Sequence, residues 1–223
     1  MKKIFTLFLI LTLSAQMKAQ FYFDITAKTG IKSTWMTNLN IKVADSVSQE
    51  YARGWSGTYG IGFTPVFRDM FGLNFELLYT PYHVRYYGSV KDLKTYYPKI
   101  VLNQIDIPTL FTLINDGGAF LEAGPMFSFL SKATFSEKSL PTLDVTNTFN
   151  KINVSAIIGF GFNAEIALDW YIKGQIRFEY ALTNYKGVDA FGREYATTSL
   201  YTAPEITRTI SGGIHLGIVR RIQ

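Results

Sequence analysis

Cysteine is absent from these 223 residues, and histidine occurs only at His83 and His215. The first absence excludes disulfides, thiol nucleophiles, cysteine-ligated metals and the lipidated N-terminal cysteine of a lipoprotein. Long apolar runs are missing as well. Beyond residues 4–13 nothing approaches the roughly 18 uninterrupted apolar residues of a membrane-spanning helix, so any insertion into a bilayer has to be as a closed barrel. Charge is sparse too, with acids and bases together making up 17% of the chain.

The chain begins with Lys2 and Lys3, an apolar stretch over residues 4–13, and then Ser14, Ala15 and Gln16. That order is a secretory signal peptide, residues 1–19, with cleavage expected after Ala19. Residues 20–223 then form one barrel-sized or sandwich-sized domain. Cleavage removes Lys2, Lys3 and Lys18, so the 22 basic residues of the whole chain become 19 against 17 acids. This near balance removes the compositional case for a nucleic-acid partner. Aromatic residues are plentiful, with 14 tyrosines and 18 phenylalanines, which suits a protein with two membrane interfaces.

The fold is read from alternation. Across residues 168–182, Leu168, Trp170, Ile172, Ile176, Phe178, Tyr180 and Leu182 share one parity, while Asp169, Lys173, Gln175, Arg177 and Glu179 share the other. A period of two is a strand, because successive side chains leave a pleated backbone on opposite sides. Seven more segments alternate similarly, near residues 22–32, 54–65, 71–82, 100–113, 118–130, 152–166 and 209–219. Their connections sort by length. Residues 66–70, 114–117 and the turn near 167 are short, whereas 33–54, 83–99, 131–151 and 184–208 are long. Short turns at one rim and long loops at the other are how outer-membrane barrels are built, the short rim facing the periplasm. The expected fold is therefore all-β: an eight-stranded antiparallel up-and-down transmembrane β-barrel, located in the outer membrane after export, with outer-membrane lipid, lipopolysaccharide included, as its surroundings.

Eight strands enclose an interior only wide enough for side chains to fill. Parity turns Lys28, Glu76, Asp106, Glu122, Glu165, Lys173, Arg177 and Glu179 inward. Buried charges persist when paired, and both signs are present, so a crosslinked polar plug is expected over an open pore. A tight turn near Ala167 would place Gly159 and Gly161 near Gln175 and Lys173, making room for the long side chains.

The remaining motifs carry little chemistry. Gly159-Phe160-Gly161 and the set Gly57, Gly60, Gly62 lie between no strand and helix, so they read as inward barrel glycines and not as a phosphate loop. His215 has Ser211 on its own inward face. His83 stands at a loop base beside Tyr82 and Arg85, and neither histidine forms a triad by spacing. No cofactor, metal or catalytic residue is expected. The long second loop interleaves Arg85, Tyr86, Tyr87, Lys91, Tyr96 and Tyr97, and the fourth carries Phe191 and Tyr195. These aromatics extend an interfacial girdle above the membrane, and together they form a candidate contact surface for an envelope protein.

Residues 105–110, Ile-Asp-Ile-Pro-Thr-Leu, and 120–125, Phe-Leu-Glu-Ala-Gly-Pro, with the first strand and a leader ending near Ala-Gln, resemble the PorT-like outer-membrane β-barrel proteins. The resemblance spans the mature chain. It implies an eight-stranded barrel in the outer membrane of a Gram-negative bacterium and, through the name-giving member, a link to protein secretion and gliding. Many outer-membrane barrels end on an aromatic residue, whereas this chain ends Val219-Arg220-Arg221-Ile222-Gln223; another assembly signal or a different last-strand register is expected. Three functions follow from the residues: a non-enzymatic structural or interaction component of the envelope, a narrow channel for small solutes, and a lipid-modifying enzyme.

Overall fold

The chain was analysed as a computed structural model describing residues 21–38, 47–90, 94–137, 141–189, 192, 194 and 206–222. The expected signal peptide lies outside these residues. Eight long strands build the fold: β1 (Phe21–Thr37), β2 (Gly54–Phe67), β3 (Phe71–Val90), β4 (Lys99–Ile114), β5 (Ala119–Ser136), β6 (Ile152–Ala167), β7 (Trp170–Ala181) and β8 (Arg208–Ile222). Each pairs antiparallel with its neighbours in sequence. β8 returns to β1 in a register running from Phe23 opposite Ile222 to Thr37 opposite Arg208. The sheet therefore closes on itself and leaves no barrel edge to aggregate.

Side-chain parity explains why this sequence closes in this orientation. Ile25, Ile61, Leu77, Phe160, Ile176 and Leu216 all point away from the axis and are exposed, Ile61 by 61%. An apolar belt all round the outside is unfavourable in water and is what hydrocarbon requires. Aromatic rings bound the belt. Phe21 packs on Phe67 with ring centroids 4.9 Å apart near the short-turn rim, and Tyr59 meets Tyr79 at 5.5 Å near the opposite side.

The short rim turns at residues 68–70, 115–118 and 168–169. Arg68 and Asp69 hold positive φ values of 53° and 56°, and Met70 N–H donates to the Phe67 carbonyl across 3.3 Å. Two successive left-handed residues match a turn to the right-handed twist of its strands. At the second turn that conformation falls on Gly118, φ 81°, where glycine has no steric cost.

Two irregularities adjust register. Gln104 faces Leu130 but Asn103 faces Lys132, so Ser131 is an extra residue in β5, and its hydroxyl donates to the Asn103 carbonyl across 2.9 Å. Before the bulge even-numbered residues such as Met126, Ser128 and Leu130 are buried; after it the odd-numbered Ala133 and Phe135 are. The second bulge lies at the β6–β7 turn, where Trp170 faces Ala167 but Tyr171 faces Glu165. Because the turn sits at 168–169 and not at 167, and the bulge takes back one residue, the register is displaced by two from that expected: Gly161 faces Gln175 and Gly159 faces Arg177, while Lys173 faces Asn163.

Several expected loops are strand. β3 is 20 residues long, about twice what a tilted strand needs to cross a bilayer. Its outer half pairs with the short strands Val47–Ala52 and Lys94–Tyr96, so the described residues of segments 33–54 and 83–99 are largely sheet. Inside this extension the lumen lining turns apolar: Met36, Val84, Ile100, Leu102, Phe135 and Phe149 form one buried cluster with Tyr185 and Val188. The two last loops fold over it. Asn150 N–H donates to the Tyr185 carbonyl and Gly187 N–H to the Thr148 carbonyl, at 3.1 and 3.0 Å. Each fully buried aliphatic or aromatic side chain contributes about 1.5–3 kcal/mol, which makes this cap a packed core and not a loose cover.

Candidate functional site: the sealed lumen

The lumen within the membrane belt is filled by two charge clusters. Arg177, on β7, is 1% exposed and is the hub of the lower one. Its Nη1 and Nη2 donate to the two carboxylate oxygens of Glu76 at 2.6 and 2.7 Å, and its Nε donates to Glu122. A bidentate fork of this kind fixes both direction and distance. Lys28 Nζ pairs with the same Glu76 and donates to Gln175 Oε1 at 3.2 Å; Gln175 Nε2 in turn donates to Glu122 at 3.1 Å. Lys173 stands 3.9 Å from Glu122 and 4.5 Å from the Phe120 ring centroid. Glycines opposite these chains supply the space. A Cβ on Gly159 would lie 3.0 Å from Arg177 Cγ, and one on Gly161 only 2.1 Å from the Gly174 carbonyl oxygen.

The upper cluster is centred on Lys32 of β1. Its Nζ donates to both Glu179 oxygens at 3.0 and 2.9 Å and to the Tyr82 hydroxyl at 2.6 Å. Tyr82 donates onward to Asp106 at 3.0 Å, and Ser128 completes that carboxylate at 2.7 Å. Lys28, Lys32, Lys173 and Arg177 thus face Glu76, Asp106, Glu122 and Glu179, so the clusters carry no net charge. Balanced, hydrogen-bonded charges are the condition under which burial is tolerated. Toward the short-turn rim Arg221 closes the barrel separately. It forks onto Asp24 at 3.0 and 3.2 Å, and its guanidinium lies 3.7 Å from the Tyr22 ring centroid and 4.4 Å from that of Tyr171.

Seven of the residues that parity assigns to a plug are brought together here: Lys28, Glu76, Asp106, Glu122, Lys173, Arg177 and Glu179. Glu165 is not among them. It is exposed beside the last turn, because the bulge at the end of β6 places it opposite Tyr171 at the barrel mouth, where it borders a polar hollow with Arg221 and Asn163. Lys32 and Tyr82 are the members that the plug assignment omits. Lys32 sits on the polar face of β1 four residues beyond Lys28, at the same parity, and Tyr82 continues the inward series Asn74, Glu76, Leu78, Thr80. The plug assignment counts only charged side chains, and Tyr82 is neutral.

The expected loop surface divides. Arg85 and Tyr97 are exposed, Tyr97 by 61%. Tyr86 is fully buried: β3 continues to Val90, so its parity turns Tyr86 into the cap, where its hydroxyl lies 3.4 Å from Met36 Sδ. Lys91, Phe191 and Tyr195, and the side chains of Tyr87 and Tyr96, lie outside the described residues. Tyr185, also in the cap, keeps its hydroxyl neutral, since burial and then the charge of Asp106 push its pKa up to about 12.

The two histidines do not assemble an acid–base site. His215 is buried against Gly30, and neither ring nitrogen has a hydrogen-bond partner among the described residues. His83 lies opposite Val101 on the outside of the barrel; its backbone N–H donates to Ser56 Oγ, and its ring hydrogen-bonds the Trp55 backbone. Among the described residues no group of three or more His, Asp or Glu side chains is placed to hold a metal ion.

Among solved structures the chain is similar to Neisserial surface protein A, at 12% identity over 92% of this chain and 99% of that one, with a TM-score of 0.44. It is similar also to OprG from Pseudomonas aeruginosa, at 12% identity over 91% and 96%, TM-score 0.43. A third is Ail of Yersinia pestis, solved with the heparin analogue sucrose octasulfate, at 11% identity over 90% and 99%, TM-score 0.43. No curated protein matches the chain. A family model described as the outer membrane protein beta-barrel domain matches residues 14–187. With the apolar belt, the closed eight-stranded meander and that match covering most of its length, the chain belongs to the outer membrane protein beta-barrel domain family.

Proposed function

We propose that this outer-membrane barrel is a non-enzymatic, non-conducting component of the cell envelope that acts through its two rims and its lipid-facing wall. The observation that carries this reading is the double closure of the lumen. The charge clusters around Arg177 and Lys32 fill the membrane zone, and the apolar cap around Phe135 and Phe149 covers them. A solute path would have to break buried ion pairs and then an apolar core, each at a cost of several kcal/mol. His215, whose ring nitrogens have no hydrogen-bond partner among the described residues, and His83, whose ring meets the Trp55 backbone, present no oriented acid–base pair, which argues against lipid-modifying chemistry.

Outer-membrane lipid, lipopolysaccharide included, is the immediate partner of the apolar belt, and an envelope protein is the partner for the exposed rim that includes Arg85 and Tyr97. The resemblance of residues 105–110 and 120–125 to PorT-like barrels supports placing that contact in protein secretion. Liposome swelling tests closure. Vesicles carrying the folded protein should swell in small sugars no faster than protein-free vesicles; swelling that scales with protein content would favour the narrow-channel reading instead.

A further inference from the structure

A groove of about 770 Å³ runs over the lipid-facing wall where β2, β1, β8 and β7 meet. Its floor is the backbone at Gly212 and Gly213, and its sides are Trp55 with Ile31 and Phe178 with Ile176. Gly212 faces both Ser33 and Phe178 in the sheet, so two small residues lie side by side in a wall otherwise built of large ones. Ser33 shares the lipid-facing side with its direct partner Trp55, is only 6% exposed, and its hydroxyl has no hydrogen-bond partner among the described residues.

A cation lies beyond the groove on the same face. Along β8 the same outward face continues from Gly212 through Ile210 to Arg208, about 13 Å further toward the outer rim at ordinary strand rise. Arg208 Nη1 donates to the Tyr180 hydroxyl at 2.5 Å, and its guanidinium lies 5.6 Å from that ring centroid. Its Nε is buried, and among the described residues no carboxylate pairs with the guanidinium. Tyrosine beside arginine at this depth is the level of lipid headgroups.

We propose that this face binds one phosphorylated, multiply acylated glycolipid of the outer leaflet, of the lipid A class. An acyl chain lies over Gly212 between Trp55 and Phe178, and a phosphate meets the outward guanidinium of Arg208. The site is independent of whether the lumen conducts. A second copy of the chain is the competing occupant, but an apolar interface between proteins gives Arg208 no anion, whereas a lipid A phosphate does.

Native mass spectrometry of the full-length, detergent-solubilised barrel with purified diphosphoryl lipid A tests this. The wild type should retain one lipid A. Arg208→Gln and Gly212→Leu should each weaken retention roughly tenfold, as loss of a charge-assisted bond or filling of the groove would. Lys132→Gln, an exposed cation on another strand, should not, and dephosphorylated lipid A should bind the wild type as weakly as diphosphoryl lipid A binds Arg208→Gln. Leucine at 212 meets only ordinary contacts, 3.4 Å from the Phe178 ring at its Cβ, and heat-modifiable gel migration confirms that each variant is folded. Should Gly212→Leu nonetheless fail to fold, Arg208→Gln decides alone. Equal retention by wild type and Arg208→Gln overturns the proposal. So does displacement by equimolar phosphatidylglycerol, or a protein dimer in place of the lipid adduct.

Discussion

Arg177 is the side chain whose removal strands the most charge. Arg177→Met would leave Glu76 and Glu122 facing each other with only Lys28 and Lys173 nearby, and breaking a buried pair of this kind costs about 3–5 kcal/mol. The expected result is a folded barrel whose urea midpoint, read by heat-modifiable migration, falls well below the wild type; an unchanged midpoint would mean water replaces the lost partner. Glycines give a second residue-scale test. Gly161→Val should block folding or lower the midpoint sharply, because its Cβ would overlap the Gly174 carbonyl, whereas Gly57→Ala meets nothing within 4 Å and should be neutral. Most of the plug was legible at this scale, because charge on the inward parity of a strand has nowhere else to go. Glu165 misled for a local reason: parity says which way a residue points, but not how close to the end of the barrel it lies.

At the scale of elements, the outer half of β5 shows what alternation alone does not reveal. Ser131 is the surplus residue of a bulge, and it keeps Ala133 and Phe135 pointing into the cap. Deleting Ser131 should therefore regularise the strand and leave the cap closed. Deleting Thr134 should turn Phe135 outward and open it. Protease treatment of intact cells distinguishes the two, with cleavage between residues 137 and 150 expected only for the second; equal resistance of both variants would show that the bulge does not set the parity. The same limit explains the strand extensions. Residues 83–99 alternate too weakly, with tyrosine on both faces, to be separated from loop by pattern. Tyr86 was accordingly assigned to the surface although it belongs to the cap.

For the whole molecule, closure and orientation were readable in the sequence because several independent signals agreed: eight alternating segments, loops sorted by length, and no apolar helix. The cap was not, since its members come from β1, β3, β4, β5, β7 and two loops, and no local pattern announces that they converge. That cap is also what separates a plugged barrel from a leaky one. Together the two clusters carry equal numbers of acids and bases, and Glu76 and Glu122 each face two cations, so a barrel with the plug alone has alternative pairings through which it could open transiently. An apolar core above it has no such alternative arrangement. The most direct test is single-channel recording of the purified barrel in planar bilayers at low and high voltage. The account predicts no conductance for the wild type; well-resolved, reproducible current steps from the wild-type protein would contradict it.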